Sequence, residues 1–387
     1  MRIAVSLGGT DYGQSGIGVY TRAIIPRIFR AIADGEDDIV VMGTRKESAA
    51  YEDVLVDIPR IELPSVFDSA GGNALFHFLA AGPVLTRAGI SVALFPAANR
   101  RMPAYSPIPT VAVVHDLAQL HVKRKYDPLR MLYFRRALLP ALRRASRVVA
   151  ISSATKNDLL QALNWPPSRI ALVPNGVDAA RFTPPTERDE RIRRAREVLG
   201  IQSPYVLYLS RLEHPGKNHL RLVKAFASSS IAARHSLVLA GADWGARSRI
   251  RETAEQLRVE RRVHLPEFVA DDLTPGLLAG ADAVAMVGLR EGFGLPALEA
   301  LAAGRPLFVS NTGALPEVTG DLASCCDPLD SESIQFAMDK ALSDTSFRRR
   351  ALLEGPQWAQ RYDWDHTARS LLSLCRQVVR EEKIRLQ

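Results

Sequence analysis

The sequence of 387 residues contains only three cysteines, Cys325, Cys326 and Cys375. Two of them are adjacent and the third lies in a helical pattern, so their spacing fits neither a disulfide framework nor a metal-binding cluster. So few cysteines are typical of a protein from a reducing compartment, where thiols stay buried or idle. We therefore expect a cytoplasmic protein.

Long apolar runs are also missing. No run of about 18 apolar residues occurs, and the opening residues MRIAVSLGGT hold one basic residue and a short apolar run that predicts a strand. We expect neither a signal peptide nor a membrane span. Short repeats of fixed period are absent too, which argues against a solenoid.

Acidic residues are outnumbered. Lys and Arg together number 50 against 42 for Asp and Glu, which gives a formal net charge of +8. A basic balance favours anionic partners such as phosphorylated substrates, nucleic acid or an anionic membrane, without choosing among them. The length predicts two domains, and 47% hydrophobic with 24% charged residues is close to the globular average.

Apolar strands alternate with helical patterns in two successive stretches, which predicts two parallel sheets buried on both faces. Between the stretches, residues 174–178 have turn chemistry and residues 182–204 are rich in proline and charge. The sequence therefore predicts domains at 1–178 and 179–360 and a C-terminal helix at 361–387. The predicted strands are 2–7, 38–42, 92–95, 110–114, 146–151, 170–173, 205–210, 236–240, 262–265, 282–287 and 306–310.

Two loops of the first stretch carry candidate residues. Gly16 and Gly18 precede a helix predicted from Val19, where helix amides suit a phosphate, although a plain tight turn is equally consistent. Position 21 is Thr and no acidic residue ends the second strand, which disfavours NAD. His115 ends the strand at 110–114, at the functional rim of a parallel sheet; a structural histidine is the alternative.

Two loops of the second stretch carry stronger chemistry. Arg211 and Lys217 flank the start of a helix predicted near Asn218, so cations and helix amides would converge on a diphosphate. The alternative is a pair of solvated surface cations. Glu291 and Glu299 lie in the segment EGFGLPALE, one on a loop and one on the following helix. Carboxylates accept hydrogen bonds from the vicinal hydroxyls of sugars and riboses.

In combination, these motifs resemble the family 4 retaining glycosyltransferases of the GT-B fold. The resemblance covers essentially the whole chain, through SGIGVYTR, VVHD, ISSATKNDLL, PNGVD, SRLEHPGKN, LAGADWG and EGFGLPALE. It implies two Rossmann-like domains that face each other across a cleft, with the acceptor on the N-terminal domain and the nucleotide sugar on the C-terminal one. The segment HDLAQL is similar to bacterial mannosyl- and rhamnosyltransferases of surface polysaccharide synthesis.

The resemblance also implies residue roles. Arg211 and Lys217 would bind the donor diphosphate, Glu299 the ribose and Glu291 the donor sugar. His115 would touch the donor sugar near the reaction centre. The remaining donor contacts implied are Gly16 and Gly18 at the β-phosphate, Phe268 and Val269 at the base, and Gly292, Phe293, Gly294 and Leu295. Many relatives carry a glycine just before the aromatic–valine pair, whereas this chain has Pro266-Glu267-Phe268-Val269, so the base, GDP or UDP, is left open. The HDLAQL likeness favours GDP-mannose.

The implied reaction is transfer with retention, in which the leaving diphosphate takes the acceptor proton. Arg211 and Lys217 would replace a divalent metal, because no Asp-x-Asp occurs in a convincing donor-site loop. We therefore expect no cofactor and no metal. Two alternatives stay open: an epimerase or phosphorylase of the same fold, and a non-catalytic Rossmann-type binding protein. No lysine stands out for pyridoxal phosphate, and the intact charged residues argue against a non-catalytic protein.

An amphipathic helix is predicted at 129–147, with a kink at Pro140. Arg136, Arg143 and Arg147 share one face, and Lys123, Arg124 and Lys125 lie just upstream. The opposite, apolar face holds Met131, Phe134, Leu138, Leu142 and Ala145. One interpretation is a surface for anionic lipid or a lipid-linked acceptor; the favoured alternative packs the apolar face on its own sheet. The expected acceptor is a glycan or lipid-linked saccharide, membrane association would be weak and peripheral, and nucleic acid is not an expected partner.

Overall fold

The structure is a computed structural model that describes residues 1–33, 35–122 and 128–386 of the chain. It has two compact units, here called unit 1 and unit 2. Unit 1 comprises the described residues of Met1–Leu117, Tyr126–Gly176 and Asp363–Gln387, and unit 2 those of Ala118–Lys125 and Val177–Tyr362. The chain therefore passes from unit 1 to unit 2 between residues 176 and 177, and returns to unit 1 between residues 362 and 363.

Each unit is built on one fully parallel sheet, because apolar strands that alternate with helices bury both faces of a sheet. In the described part of unit 1 the strands are β1 Arg2–Ser6, β2 Asp38–Thr44, β3 Arg60–Leu63, β4 Val92–Phe95, β5 Thr110–Val114, β6 Arg147–Ala150 and β7 Ile170–Leu172, in the order β3-β2-β1-β4-β5-β6-β7. In unit 2 they are β8 Tyr205–Leu209, β9 Ser236–Ala240, β10 Val263–His264, β11 Ala283–Met286, β12 Leu307–Ser310 and β13 Ala323–Cys326, in the order β10-β9-β8-β11-β12-β13.

The helices fill the connections between strands. They are α1 Gly16–Ile32, α2 Arg45–Ala49, α3 Ala70–Leu79, α4 Ala81–Arg87, α5 Pro128–Tyr133, α6 Leu139–Leu142, α7 Ser153–Leu163, α8 Glu190–Leu199, α9 His219–Ser228, α10 Arg247–Gln256, α11 Thr274–Ala279, α12 Leu295–Ala302, α13 Leu315–Thr319, α14 Ser331–Ser343, α15 Thr345–Ala359 and α16 Trp364–Leu386. Among these helices none combines the length and the apolar character that a membrane crossing requires.

The predicted α/β class, with two Rossmann-like parallel-sheet domains, is confirmed. Three predictions of elements need correction. The first helix begins at Gly16 rather than Val19, because the Ser15 hydroxyl accepts the Gly18 amide and caps the helix there. The strands β3 and β13 were not predicted: β3 is a short, mostly exposed edge strand and β13 has the sequence ASCC. Residues 182–204, where the sequence predicted neither a helix nor a strand, contain α8.

The predicted amphipathic helix is shorter and interrupted. Helical structure runs from α5 through a π-helical turn at Phe134–Leu138 into α6, and ends at Leu142. The turn precedes Pro140, which lacks an N–H and would clash with the carbonyl four residues earlier. The apolar face packs into the core of unit 1, as the favoured alternative held: Phe134, Leu138, Leu142 and Ala145 are buried and Met131 is half-buried.

Each sheet has one point where the strand order reverses direction. In unit 1 it lies between β1 and β4, and in unit 2 between β8 and β11. The connections that leave two such neighbouring strands run to opposite sides of the sheet, which opens a crevice at their carboxyl ends. Ligands of open parallel sheets bind in that crevice, so the loops after these four strands are the first places to look for a site.

Candidate functional site

The reversal point of unit 2 brings two of the predicted residues into contact. Lys217 follows β8 and Glu291 follows β11, and the Lys217 Nζ lies 2.9 and 3.0 Å from the two carboxylate oxygens of Glu291. Both side chains are largely enclosed, with 21% and 12% exposure. The two loops are joined by a hydrogen bond of 2.9 Å from the Leu289 amide to the Gly216 carbonyl. The cation and the carboxylate therefore form one charged pair.

Two glycines hold Glu291 in place. Gly313 has a φ of +66° and a Cβ there would lie 2.5 Å from the Glu291 carbonyl oxygen. A Cβ on Gly288 would lie 2.5 Å from the Glu291 carboxylate. Only glycine tolerates both the left-handed backbone and the close approach at position 313, and a Cβ at position 288 would displace the Glu291 carboxylate. The position of Glu291 therefore depends on both residues. Sequence reasoning missed both; their place directly after strands was the available signal.

Arg211 is held separately. Its guanidinium lies 3.2 Å from the Glu213 carboxylate and 4.3 Å from the centre of the Trp244 ring. Backbone hydrogen bonds of 2.9 Å, from Leu212 to Ala242 and from Trp244 to Leu212, extend the pairing of β8 with β9 and place this indole beside the guanidinium. Trp244 is 51% exposed, and a cation over an indole face is attracted by the ring. Sequence reasoning did not single out Trp244.

The segment after Glu291 turns into the start of α12. Gly294 has a φ of +100° at the N-cap, and no side chain caps the helix. Pro296 has no N–H, and the Ala297 and Leu298 amides both donate to the Gly294 carbonyl, so the Leu295 amide is the one that can favour an anion at this helix start. The side chains of Phe293 and Leu295 are buried, with Phe293 packed edge-on against Tyr362 at 5.8 Å. Their side chains are therefore structural, and only their backbone can contribute to binding, together with Gly292.

Glu299 lies further along α12. The residue as a whole is half-buried, and in the part of the chain that the structure describes its carboxyl group has no hydrogen-bond partner. Burial raises the pKa of Glu299 to about 7, against the opposing effect of Arg181. The second charged neighbour is Asp271. Glu299 therefore has surroundings of its own, distinct from those of Glu291.

The predicted base-binding residues follow β10 in a loop rather than a strand. Phe268 is 60% exposed, whereas Val269 is buried. Glu267 pairs with Arg247 at 3.1 Å. An exposed aromatic ring can stack on a base, while Val269 can offer only its backbone.

In unit 1 the two predicted glycines differ. The Gly18 amide donates to the Ser15 hydroxyl at 3.4 Å, and a Cβ on Gly18 would lie 2.5 Å from the backbone of Gly13. Gly18 is therefore required by packing within unit 1, and its amide is already engaged. Gly16 is exposed in the first turn of α1, where its amide can reach a ligand.

His115 is buried after β5, and its Nε2 lies 2.8 Å from the Pro96 carbonyl. Burial lowers the pKa of His115 to about 4, so the ring is neutral near pH 7. Because a carbonyl only accepts, Nε2 carries the proton and Nδ1 is the acceptor. The Tyr20 ring packs edge-on against the imidazole at 4.8 Å. The ring can thus accept a hydrogen bond from a hydroxyl but cannot act as an acid at neutral pH.

One Asp-x-Asp, Asp363 and Asp365, lies where the chain returns to unit 1, and its side chains are engaged at the start of helix α16. The Asp363 carboxylate accepts from the amides of Asp365 and His366, and Asp365 pairs with Arg27 at 3.1 Å. Within residues 1–33, 35–122 and 128–386, no group of three His, Cys, Asp or Glu side chains could hold a metal ion. Metal independence stays a prediction.

Comparison with known proteins bears on the whole chain. The profile of the family "Glycosyl transferases group 1" matches residues 190–358, and that of "Glycosyltransferase Family 4" matches residues 28–181. The O-antigen chain mannosyltransferase B of Escherichia coli is 24% identical over 382 residues, 95% of this chain and 97% of that protein. A D-inositol 3-phosphate glycosyltransferase of Salinispora tropica is 32% identical over 261 residues, 62% of this chain and 53% of its own.

Solved structures show the same fold. Anabaena HepE in complex with UDP and glucose matches with a TM-score of 0.75 at 20% identity, covering 97% of this chain and 99% of its own. WaaG, a glycosyltransferase of lipopolysaccharide biosynthesis, matches with a TM-score of 0.69 at 15% identity, covering 97% and 99%. The sheets described above are therefore those of the GT-B fold, the enzyme prediction is confirmed, and the chain belongs to the group 1, family 4 glycosyltransferases.

Proposed function

We propose that this enzyme transfers a mannosyl group from GDP-mannose to a glycan or lipid-linked saccharide in polysaccharide synthesis, with retention of configuration. Unit 2 binds the donor and unit 1 the acceptor. The observation that carries the proposal is the Lys217–Glu291 pair at the reversal point of unit 2. The choice of mannose is supported by the E. coli mannosyltransferase that matches along almost the full chain.

The two members of the charged pair bind different parts of the donor, Lys217 the diphosphate and Glu291 the sugar. An ammonium group has three N–H donors, and the Glu291 carboxylate engages at most two of them, so Lys217 keeps one for a phosphate oxygen. The carboxylate in turn has lone pairs left for sugar hydroxyls. Arg211, held by Glu213 and Trp244, adds a second cation to the diphosphate. Glu299 accepts from the ribose hydroxyls and Phe268 stacks on the base.

Transfer needs no protein nucleophile in this scheme. The bond from the anomeric carbon to the diphosphate oxygen breaks, and the bond to the acceptor oxygen forms on the same face. The proton of the acceptor hydroxyl passes to the departing phosphate oxygen. Arg211, Lys217 and the Leu295 amide at the start of α12 stabilise the charge that develops on the leaving group. His115, neutral and buried, accepts a hydrogen bond from a sugar hydroxyl.

Nucleotide preference provides the direct test. We expect GDP to raise the melting temperature more than UDP, ADP or dTDP at the same concentration, because the ligand that binds more tightly stabilises the folded protein more. A ligand at 100 times its Kd raises the free energy of unfolding by about 2.7 kcal/mol. Product analysis with radiolabelled GDP-mannose then separates transfer from an epimerase, a phosphorylase or a binding protein without turnover. A clear shift with UDP and none with GDP would reverse the choice of donor base while leaving the transferase assignment in place.

Metal dependence is a second test. Because Arg211 and Lys217 supply the positive charge at the diphosphate, we expect transfer to survive excess EDTA unchanged. The assay is initial-rate transfer before and after chelation, with a Mn²⁺-dependent transferase as the positive control for chelation. A loss of activity that Mg²⁺ or Mn²⁺ restores would contradict the proposed stabilisation of the leaving group.

Membrane association is proposed to be weak and electrostatic. Arg136 is exposed, but Arg143 donates to the Ala162 carbonyl at 3.1 Å and Arg147 binds the Glu381 carboxylate at 2.7 and 2.9 Å. Those two arginines are partly engaged by the protein. Lys123, Arg124 and Lys125, the other part of the predicted basic surface, lie outside the described residues.

We therefore expect the protein to sediment with phosphatidylglycerol vesicles at low salt and to be released at high salt. Each cation contributes on the order of 1 kcal/mol near an anionic leaflet, and the attraction fades beyond about 10 Å at 0.1 M salt. Phosphatidylcholine vesicles are the control, and Arg136→Ala should weaken sedimentation. Protein that stays in the supernatant with every vesicle would favour an acceptor free in solution.

A further inference from the structure

The reversal point of unit 1 corresponds to the one that holds the Lys217–Glu291 pair in unit 2. It lies between β1 and β4, so the loops at residues 7–15 and 96–109 flank a crevice at the carboxyl ends of the strands. The loops touch: a Cβ on Gly9 would lie 2.9 Å from the Arg101 side chain and 3.3 Å from that of Arg100. The place where a parallel sheet binds its ligand is thus present in unit 1 as well.

The loop after β1 has an unusual backbone. Asp11 and Tyr12 have φ values of 55° and 51°, and Gly9 and Gly13 on either side have 81° and 80°. Two consecutive non-glycine residues in the left-handed region are strained, and such strain persists where the surroundings fix it and concentrates at ligand sites. The conformation turns the Asp11 carboxylate towards Arg100, at 2.5 Å.

Unpaired oxygens gather around this loop. Asp11 Oδ2, Asp68 Oδ1 and Asn99 Oδ1 are sheltered from solvent and have no hydrogen-bond partner in the described part of the chain. The three residues are linked, because Asp11 pairs with Arg100, next to Asn99, and the Tyr12 hydroxyl donates to the Asp68 carbonyl at 3.1 Å. A sheltered oxygen without a donor is costly, so each calls for a water or a ligand hydroxyl.

The neighbouring cations are already engaged by protein oxygens. Arg101 donates from its three nitrogens to Asn73 Oδ1 at 2.9 Å and to the Arg100 and Ala70 carbonyls at 3.0 Å each. Arg100 donates to the Gly9 carbonyl at 3.1 Å, besides its pair with Asp11. The exposed Lys46 lies over the Tyr12 ring at 4.9 Å. The buried side-chain atoms of this crevice that lack a partner in the described part of the chain are therefore acceptor oxygens.

We propose that Asp11, Asp68 and Asn99 form a hydroxyl-binding subsite for the acceptor, and that the acceptor ring held there is an uncharged sugar. Sugar hydroxyls donate to carboxylate and amide oxygens, whereas a phosphate offers only acceptors and would meet two carboxylates. The inference rests on the proposed function and names its acceptor class. It sets this enzyme apart from the relatives named for D-inositol 3-phosphate.

Binding to the full chain tests the subsite. The probes are methyl α-D-mannopyranoside and mannose 6-phosphate. Ligand-observed NMR titration measures their binding to the wild type and to the variants Asp11→Asn, Asp68→Asn and Asp57→Asn. Asp57 is the matched control, an exposed aspartate of unit 1 that also has a left-handed φ, of 62°. Asparagine tolerates that backbone, so the loop is kept while an acceptor oxygen becomes a donor.

We expect the mannoside to bind the wild type and Asp57→Asn equally, and Asp11→Asn and Asp68→Asn at least tenfold more weakly. GDP affinity should be the same in all four proteins, which also shows that each is folded. The subsite would be overturned if both Asp11→Asn and Asp68→Asn bound the mannoside as tightly as the wild type does. It would also be overturned if the wild type bound mannose 6-phosphate more tightly than the mannoside, or did not bind the mannoside at all. A wild type that binds the mannoside as described but neither GDP nor UDP would instead overturn the proposed function.

Discussion

Replacing Lys217 with alanine is expected to lower kcat/KM for transfer by roughly 10²–10³-fold, the size of effect seen when one preorganised group that stabilises a leaving oxyanion is removed. The same change removes a charge-assisted contact to the donor diphosphate, worth roughly 1.5–3 kcal/mol, and nucleotide affinity should fall accordingly. Arg211→Ala should behave in the same direction. Titration calorimetry with GDP and initial-rate transfer measure the two effects.

Lys217→Ala should weaken nucleotide binding by more than the loss of one contact, because Lys217 also neutralises Glu291. Without the ammonium group, the Glu291 carboxylate stays behind, 12% exposed and unpaired, where a diphosphate has to bind. Its charge then repels the ligand. We therefore expect the double variant Lys217→Ala/Glu291→Gln to recover part of the nucleotide affinity but none of the transfer rate, since the leaving group still lacks its cation.

An exposed lysine of the same unit provides the control. Lys224 lies on α9, so Lys224→Ala removes one positive charge from unit 2 without touching the charged pair. It should leave both GDP affinity and transfer unchanged. Wild-type GDP affinity in Lys217→Ala and Arg211→Ala alike would remove both residues from the donor site.

Local sequence patterns were sufficient for much of the fold. Strands such as Val92–Phe95 and Ser236–Ala240 occur where predicted, because a short apolar run between turn residues has few other solutions in a buried parallel sheet. The patterns failed where burial is weak. Strand β3 lies at the edge of its sheet and is mostly exposed, so it lacks the apolar run that marks the central strands.

The positions of the candidate residues on loops and helices could be predicted one by one, but their arrangement in space could not. Arg211, Lys217, Glu291 and Glu299 were each placed on the correct loop or helix, because the carboxyl ends of parallel strands face the same edge of a sheet. The contact between Lys217 and Glu291 joins residues 74 positions apart and depends on the strand order β8-β11. No periodicity in the sequence encodes that order.

Contacts that depend on close approach were also beyond the sequence. Gly18 was interpreted as a phosphate-loop glycine, yet the structure gives it a packing reason against Gly13. Gly313 went unnoticed although Glu291 depends on it. Trp244 meets Arg211 only because β9 continues beside β8 beyond the strand ends. A glycine or tryptophan in a loop shows that something special is needed there, but not which neighbour requires it.

Glu299→Gln is expected to stabilise the protein at pH 8 while weakening its hold on GDP-mannose. Burial raises the pKa of Glu299 to about 7, whereas an exposed glutamate has a pKa of about 4.3. Between those values the folded protein keeps a proton that the unfolded chain has released, so the stability of the wild type falls as the pH rises through this range. Above pH 7 the penalty is complete, and glutamine does not carry it. The melting temperatures of the two proteins should thus be close at pH 4.5 and diverge in favour of Glu299→Gln by pH 8.

The function proposed for Glu299 requires the charge that destabilises it. A carboxylate accepts hydrogen bonds from two ribose hydroxyls more strongly than a neutral acid or an amide does. Wild-type affinity for GDP-mannose should therefore rise by up to roughly tenfold between pH 6 and pH 8, as the group passes through its pKa. GDP-mannose is the right probe, because its diphosphate is esterified at both ends and does not titrate in this range. His115, with a pKa of about 4, is neutral throughout.

Glu299→Gln should bind GDP-mannose more weakly than the wild type at pH 8 and show no rise between pH 6 and pH 8. Calorimetry at the two pH values measures the affinity, and thermal melts of the same samples measure stability. Asp271→Asn is the matched control, since it removes the acidic neighbour that holds the pKa of Glu299 up. Its affinity should rise with pH as the wild type does, with the midpoint moved to lower pH. An unchanged pH profile in Glu299→Gln would show that another group titrates at the ribose and that Glu299 only packs there.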